Sequence, residues 1–217
     1  MAANTQSVFG FELGNEVNNN GGTPWNTTTR PAQQADAMKL FAPLVRKAQP
    51  DAMLIGPDTG YRDAEAWLQA YLPLVSEGGR SILHAVTHHV YDAPGRSAFN
   101  SPSGLDSGRG EIAWYTDTIR SLAPSAQIWA GEDGPVGGGN DGSCGGEASV
   151  CTTYASALTY ADDLGLRARA GFSQYQRQSL FGGGYGLTDT RAKHPQSALG
   201  ETEPLVLRPG YWVRSSA

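Results

Sequence analysis

Short apolar runs alternate with stretches of helical spacing along most of this 217-residue chain. Each run is short enough and apolar enough to form a buried β-strand. Strands that alternate with helices are typical of βαβ units, so the pattern predicts a parallel sheet covered by helices. The five runs are Val8–Leu13, Ala52–Pro57, Ile82–His89, Ile128–Gly131 and Gly171–Leu180.

Three stretches between the runs carry apolar residues three and four positions apart, as on one face of a helix. Pro43 lies inside the first stretch, so we expect that helix to kink or break there. Five strands and about four helices favour part of a closed (β/α)₈ barrel, which has eight strands, or an open doubly wound sheet. The three sets are Met38, Phe41, Val45 and Ala48; Ile112, Tyr115, Ile119 and Leu122; Val150, Tyr154, Leu158, Ala161 and Leu164.

Charge and composition argue against several classes of partner. The formal net charge is −5 and Arg46-Lys47 is the only adjacent basic pair, so no nucleic-acid partner is expected. The Gly-rich stretches Gly137–Gly139 and Gly182–Gly184 lack the spacing of a phosphate-binding loop, so no nucleotide cofactor is expected. No apolar stretch approaches the roughly 20 residues of a membrane helix, and other membrane association is left undetermined.

The first residues show neither the basic nor the apolar region of a signal peptide. Cys144 and Cys151 flank a Gly-rich loop, where a disulfide and two free thiols fit equally well.

Two glutamates follow apolar runs in positions that suit catalysis. Glu16 ends Phe11–Glu16 (FELGNE), and Glu132 ends Trp129–Glu132 (WAGE). Because strand tips surround one pocket in a parallel barrel, we expect both carboxylates to face that pocket. Two carboxylates about 5–5.5 Å apart would suit a retaining glycosidase, in which the acid needs a raised pKa and the nucleophile stays ionised. Taken alone, each motif is better explained by an exposed polar loop, and the two support catalysis only together with the residues around them.

His88-His89 and Tyr91 end the third run. Period-two alternation places His89 and Tyr91 on the same face of the strand, where a tyrosine hydroxyl could hold a nucleophilic carboxylate. His84 and His194 add no spacing typical of metal ligands, so we expect no metal site.

Four segments together resemble glycoside hydrolase family 79, the heparanase family. Phe11–Glu16 resembles the family's strand 4 motif W-E-L-G-N-E, and Ala85–Tyr91 (AVTHHVY) is similar to its strand 6 segment. Trp129–Glu132 resembles the strand 7 motif W-x-G-E, and Arg177–Leu187 (RQSLFGGGYGL) is similar to strand 8 of plant members.

The resemblance implies a (β/α)₈ barrel and retaining hydrolysis of β-glucuronides or related uronides in glycans or conjugates, without a cofactor. It implies that Glu16 is the acid/base and Glu132 the nucleophile, with Tyr91 hydrogen-bonded to Glu132. The residues that match substrate-binding positions of the family are Asn15, His89, Tyr91, Gly137, Gly138, Gln178, Gly183, Gly184 and Tyr185.

The same resemblance predicts that residues 1–217 supply only strands 4 to 8 of the barrel, without strands 1 to 3 or the family's β-sandwich domain. It also predicts a secreted, lysosomal or cell-surface full-length protein. Two alternatives to an enzyme are a non-catalytic carbohydrate-binding relative and an inactive fragment. Clustered Lys and Arg are missing, which favours a neutral glycan or small conjugate with a terminal β-glucuronic acid over heparan sulfate.

Overall fold

The computed structural model describes residues 8–19, 30–91, 101–134 and 154–178. The strands are β1 (Gly10–Glu12), β2 (Met53–Thr59), β3 (Ser76–Glu77), β4 (Arg80–Ser81), β5 (Ala85–Tyr91), β6 (Gln127–Gly134) and β7 (Gln174–Arg177). The helices are α1 (Pro31–Ala48), α2 (Ala64–Tyr71), α3 (Pro102–Leu105), α4 (Arg109–Leu122) and α5 (Tyr154–Ala170), and 3-10 turns lie at Leu72–Val75 and Asp106–Gly108.

Five parallel strands form one sheet in the order β1-β2-β5-β6-β7, and β3 pairs with β4 in a small antiparallel hairpin. Each of the five predicted runs overlaps one strand of the main sheet, so the predicted parallel α/β architecture is confirmed. Strands that neighbour one another in chain order are typical of a barrel, whereas a doubly wound sheet reverses its order at a switch point. The described sheet is therefore part of a barrel, and the hairpin was not predicted.

The contacts between residues in space divide the chain into two compact units. The first comprises residues 1–90, 111–132 and 170–175, and the second comprises residues 91–110, 133–169 and 176–217. The core of the first unit lies between the sheet and its helices. It contains the fully buried Met38 of α1, Leu68 of α2, Val86 of β5 and Ile119 of α4.

Helix α1 runs through Pro43 without interruption, so the expected break is wrong. Pro43 lies on the exposed face, while Met38, Ala42 and Val45 are buried on the other face. Burial of that face on both sides of Pro43 offsets the loss of one helical hydrogen bond.

The predicted apolar face of α5 is also wrong. Leu158 and Leu164 are exposed, and the buried positions are instead Thr159, Asp163 and Arg167, four residues apart. The Nε of Arg167 donates to Asp133 Oδ2 at 2.8 Å, and both side chains are almost fully buried. A buried ion pair therefore sets which side of this helix faces inward, which a hydrophobic pattern cannot reveal.

Among the described residues, no helix combines the length and the apolar character needed to cross a bilayer.

Candidate active site

The backbone that carries Glu16 is held against the end of β2. The amide of Leu13 donates to Ile55 O at 3.1 Å, and the amide of Glu16 donates to Asp58 O at 2.6 Å. Between them, Gly14 has φ +136°, and a Cβ at this position would lie 2.1 Å from the Pro57 carbonyl oxygen. Only glycine fits there, which explains the glycine of the FELGNE motif.

The loop after Glu16 is tied to the loop after β2 by two asparagines. Asn18 is buried, its Oδ1 accepts from the Gly60 amide at 2.7 Å, and its Nδ2 donates to Gly60 O at 2.9 Å and to Arg62 O. Asn19 accepts from the Arg62 amide at 3.3 Å and donates to Glu16 Oε2 at 3.0 Å. These asparagines position the Glu16 carboxylate and were not found from the sequence. The run Asn18–Asn20 after a strand was the available signal, since asparagine side chains bond loop backbones readily.

Hydrogen bonds to the Glu16 carboxylate correct the predicted pKa of this residue. His89 Nδ1 lies 3.1 Å from Oε1, and Asn19 donates to Oε2. The bond from His89 lowers the pKa of Glu16, burial raises it, and the bond from Asn19 lowers it further, so the net shift is downward. The expected raised pKa is wrong, because both hydrogen bonds favour the ionised form.

The two histidines of β5 face opposite ways, as the period-two alternation predicts. His88 packs against Trp114 and Tyr115 of α4, and its Nε2 lies 2.6 Å from Glu111 Oε1. His89 faces the Glu16 carboxylate and is almost fully buried. His89 is thus the member of the pair that belongs to the site.

Glu132 lies in β6, two residues before the strand ends. Its Oε2 is 3.7 Å from His89 Nε2, and its side chain is 26% exposed. Glu16 from the loop after β1 and Glu132 from β6 therefore reach one imidazole ring. Their catalytic roles, the 5–5.5 Å separation and the bond from Tyr91 to Glu132 stay predictions.

Asp58 is the residue that sequence reasoning missed most clearly. It lies in β2, is buried, and its Oδ2 is 2.6 Å from His89 Nε2. Its backbone is left-handed with φ 57°, as is that of Glu16 with φ 47°. Such conformations cost about 1–3 kcal/mol each and concentrate at functional sites. The available signal was its place directly after the apolar run Ala52–Pro57, as Glu16 and Glu132 end their own runs.

Glu12 adds a further carboxylate near this cluster. Burial and the charge of Asp58 raise its pKa to about 7, against the lowering effects of a hydrogen bond with Thr87 and the charge of His89. A carboxyl whose pKa is raised on folding stabilises the protein below its unfolded pKa of 4.5, and this stability is lost as the pH rises through about 7.

We therefore expect Glu12→Gln to raise the midpoint of thermal unfolding by a few degrees at about pH 8 and to leave it unchanged at about pH 4. Because the side chain keeps an exposed face, solvent screening limits the size of the effect. Calorimetry at the two pH values checks this, with Glu65→Gln on the exposed face of α2 as the control. An equal shift at both pH values would contradict the titration of Glu12.

Other predicted site residues lie at exposed or strand-end positions. Asn15 is exposed beside Glu16, and Tyr91 ends β5 half-buried. In the second unit, a Cβ at Gly134 would lie 2.7 Å from Tyr91 Cε1, so the tyrosine ring rests against that backbone. The Gln178 amide donates to Asp133 O at 2.9 Å, and its substrate-binding role stays a prediction.

Seven residues named in these predictions lie outside the residues that the structure describes. They are Gly137, Gly138, Gly183, Gly184, Tyr185 and the pair Cys144 and Cys151. Within the described ranges, no group of three or more His, Cys, Asp and Glu side chains is arranged to hold a metal ion.

Solved structures with a similar fold are glycoside hydrolases. A monomeric β-xylosidase from Caulobacter crescentus CB15 has TM-score 0.57 and 23% identity, over 83% of this chain and 38% of that protein. A Paenibacillus polymyxa xyloglucanase of family 44 has TM-score 0.58 and 12% identity, over 89% of this chain and 46% of that protein. At these identities the similarity concerns the fold alone.

Proteins with similar sequences identify the family more specifically than the fold does. Heparanase of Bos taurus is 30% identical over 210 residues, which cover 94% of this chain and 34% of that protein. Baicalin-β-D-glucuronidase of Scutellaria baicalensis is 26% identical over 202 residues, which cover 84% of this chain and 34% of that protein. The chain thus spans about a third of the length of these relatives. The model of the N-terminal domain of glycosyl hydrolase family 79 matches residues 1–165. Since that match covers most of the sequence, the chain belongs to glycosyl hydrolase family 79.

Proposed function

We propose that this chain carries the catalytic glutamates of a retaining β-glucuronidase that removes a terminal β-glucuronic acid from a glycan or a small conjugate. The main support for the proposal is that both carboxylates lie close to the His89 ring. Glu16 Oε1 is 3.1 Å from Nδ1, and Glu132 Oε2 is 3.7 Å from Nε2. Two carboxylates on one side of a barrel sheet are the groups that double displacement requires.

In the proposed reaction, Glu132 attacks the anomeric carbon while Glu16 protonates the leaving oxygen, and a covalent glycosyl-enzyme forms. Glu16 then takes a proton from water, which attacks the anomeric carbon and releases Glu132. The half-exposed Glu16 and Glu132 are accessible to a sugar, whereas His89 and Asp58 are buried behind them. Burial of the supporting pair keeps the orientation of the reacting carboxylates fixed.

A glucuronide substrate is supported by the relatives' names, since one is a baicalin-β-D-glucuronidase and others are heparanases. The net charge of −5 and the absence of Lys and Arg clusters favour a neutral glycan or conjugate over a sulfated polyanion. We propose that Gly183, Gly184 and Tyr185 receive the uronate carboxylate, as their match to the family implies.

The test uses the whole protein that carries this chain, assayed on p-nitrophenyl β-D-glucuronide, β-D-glucoside and β-D-xyloside. We expect a preference for the glucuronide of at least about 10²-fold in kcat/KM, because a site built for a carboxylate loses its polar contacts with the neutral sugars. Proton NMR during the first turnovers should show the β-anomer of glucuronic acid before mutarotation.

Initial release of the α-anomer would overturn the retaining mechanism. Faster hydrolysis of the glucoside or xyloside would overturn the substrate class. Glucuronide binding in calorimetry without hydrolysis of any substrate would instead support the non-catalytic carbohydrate-binding relative.

A further inference from the structure

The buried ring of His89 lies among carboxylates. Its Nδ1 is 3.1 Å from Glu16 Oε1, and its Nε2 is 2.6 Å from Asp58 Oδ2 and 3.7 Å from Glu132 Oε2. Ionised carboxylates only accept hydrogen bonds, and a neutral imidazole has only one N–H to donate. His89 can donate a hydrogen bond to Glu16 and to Asp58 at the same time only if both of its ring nitrogens are protonated. The geometry therefore points to a doubly protonated His89.

Asp58 organises both partners of this contact. Its backbone carbonyl accepts from the Glu16 amide at 2.6 Å, and its own amide donates to Thr87 Oγ1 at 3.0 Å. Its carboxylate holds the His89 ring, while its second oxygen, Oδ1, is buried without a hydrogen-bond partner. One residue thus fixes the main chain of the expected acid/base and the imidazole that faces its carboxylate.

The charges around His89 explain why it keeps two protons. Glu12 from β1, Glu16 from the loop after β1, Asp58 from β2 and Glu132 from β6 all influence or face the ring. Burial alone would lower the pKa of His89, but the hydrogen bonds with Asp58 and Glu16 and the charges of Asp58 and Glu132 raise it to about 10. His89 therefore stays protonated through neutral pH, while Glu16 is ionised.

An ionised Glu16 cannot protonate a leaving group, so the first step needs a source for that proton. We propose, building on the proposed hydrolase function, that Asp58 and His89 are positioning residues that store the acid's proton on His89 Nδ1 and return it to Glu16. Asp58 keeps the other proton on Nε2, which directs the exchange to Nδ1. A sugar placed over Glu16 removes water from its carboxylate and favours the neutral form of the pair.

The proton moves in a closed cycle. In the first half, the Nδ1–H bond breaks and a Glu16 O–H bond forms. That proton then passes to the glycosidic oxygen as its bond to the anomeric carbon breaks and the bond to Glu132 forms. In the second half, the attacking water gives a proton to Glu16, which returns it to Nδ1, and the bond to Glu132 breaks. One water is consumed and no other reactant is needed.

The sequence offers a matched pair of variants for the test. Asp58→Asn removes the carboxylate charge at 2.6 Å from His89, and Glu111→Gln removes the one at 2.6 Å from His88, on the opposite face of the same strand. We expect Asp58→Asn to lower kcat by roughly 10²-fold. The apparent pKa of the basic limb in its plot of kcat against pH should fall by about one unit or more. Glu111→Gln should leave that limb in place.

The protonation of His89 is measured independently of activity. Histidine ¹⁵N NMR of the native protein, with the signal assigned by its loss in His89→Gln, should show two protonated ring nitrogens at about pH 8. This measurement decides the proposal even where Asp58→Asn does not fold. A neutral His89 at that pH, in an enzyme that hydrolyses glucuronides, overturns the proton route alone.

Two further outcomes contradict the route: an unmoved basic limb in folded Asp58→Asn, and an equal movement in Glu111→Gln. A native protein that hydrolyses no glucuronide, whatever the state of His89, overturns the proposed function and the route with it.

Discussion

Glu132→Ala should reduce turnover of p-nitrophenyl β-D-glucuronide by on the order of 10⁴-fold or more, the scale expected when a nucleophile is removed. The carboxylate at this position contacts His89 at 3.7 Å and is accessible from solvent, as an attacking group must be. Without it, the glycosyl-enzyme cannot form. Added azide or formate should restore part of the activity with the aryl substrate, because a small anion fits the space left by the carboxylate. Initial rates with and without azide measure both effects.

The control for this prediction is Glu65→Ala, which removes an exposed carboxylate from α2 and should leave kcat within about twofold of the native value. Circular dichroism of all three proteins shows whether the fold is kept. Substantial activity of Glu132→Ala without added anion would refute Glu132 as the nucleophile. If Glu132→Ala loses its fold together with its activity, the test is repeated with Glu132→Gln. This variant keeps the volume of the side chain and should be equally inactive.

Gly131→Ala should lower kcat/KM by about 10²-fold although the residue has no side chain that could take part in chemistry. A Cβ at this position would lie 2.1 Å from Asp58 Oδ1 and 2.9 Å from Thr87 Cβ. Asp58 must therefore move, and with it the His89 ring that faces Glu16. We also expect a loss of about 1–3 kcal/mol in the free energy of unfolding, the usual cost of overpacking. Enzyme kinetics and urea unfolding measure the two effects.

Gly165→Ala is the matched control, since a Cβ at Gly165 within α5 lies within 4 Å of no atom of the other described elements. This variant should gain about 0.5–1 kcal/mol in the free energy of unfolding, because alanine restricts the unfolded chain. Its kinetics should equal those of the native protein. Native kinetics in Gly131→Ala as well would show that Asp58 and His89 can shift without consequence, contrary to the close packing around them.

The main lines of the fold follow from local patterns in the sequence. Each of the five apolar runs overlaps a strand, because burial on both faces of a parallel sheet demands continuous apolar residues. The face of α4 was predicted well, since Ile112, Tyr115 and Ile119 are buried as their spacing indicates. The face of α5 was predicted wrongly, because the Asp133–Arg167 ion pair joins residues 34 positions apart. A pattern that scores hydrophobicity cannot anticipate a buried charge pair.

The candidate site was likewise predicted in part from the sequence and missed in part. Glu16, His89 and Glu132 were identified from short motifs, and the structure brings their side chains together at one ring. Asp58, Asn18 and Asn19 were missed, although they hold that cluster in place. Their importance depends on bonds between different strands or the loops that follow them, whose partners lie 31 to 44 residues apart along the chain. The local sequence marks these residues as polar groups near strand ends, but it does not show which residues they bond.

The order of the five main strands, the family and the two glutamates follow from the sequence, because these depend on periodicity and on short motifs. The tertiary structure alone decided the ionisation of the site. An acid/base is expected to hold a proton, yet the pKa of Glu16 is lowered by His89 and Asn19, and the pKa of Glu12 is raised instead. The reason is physical: a pKa depends on burial and on charges within a few ångströms, and these neighbours come from β2, β5 and the loop after β1, which only folding brings together.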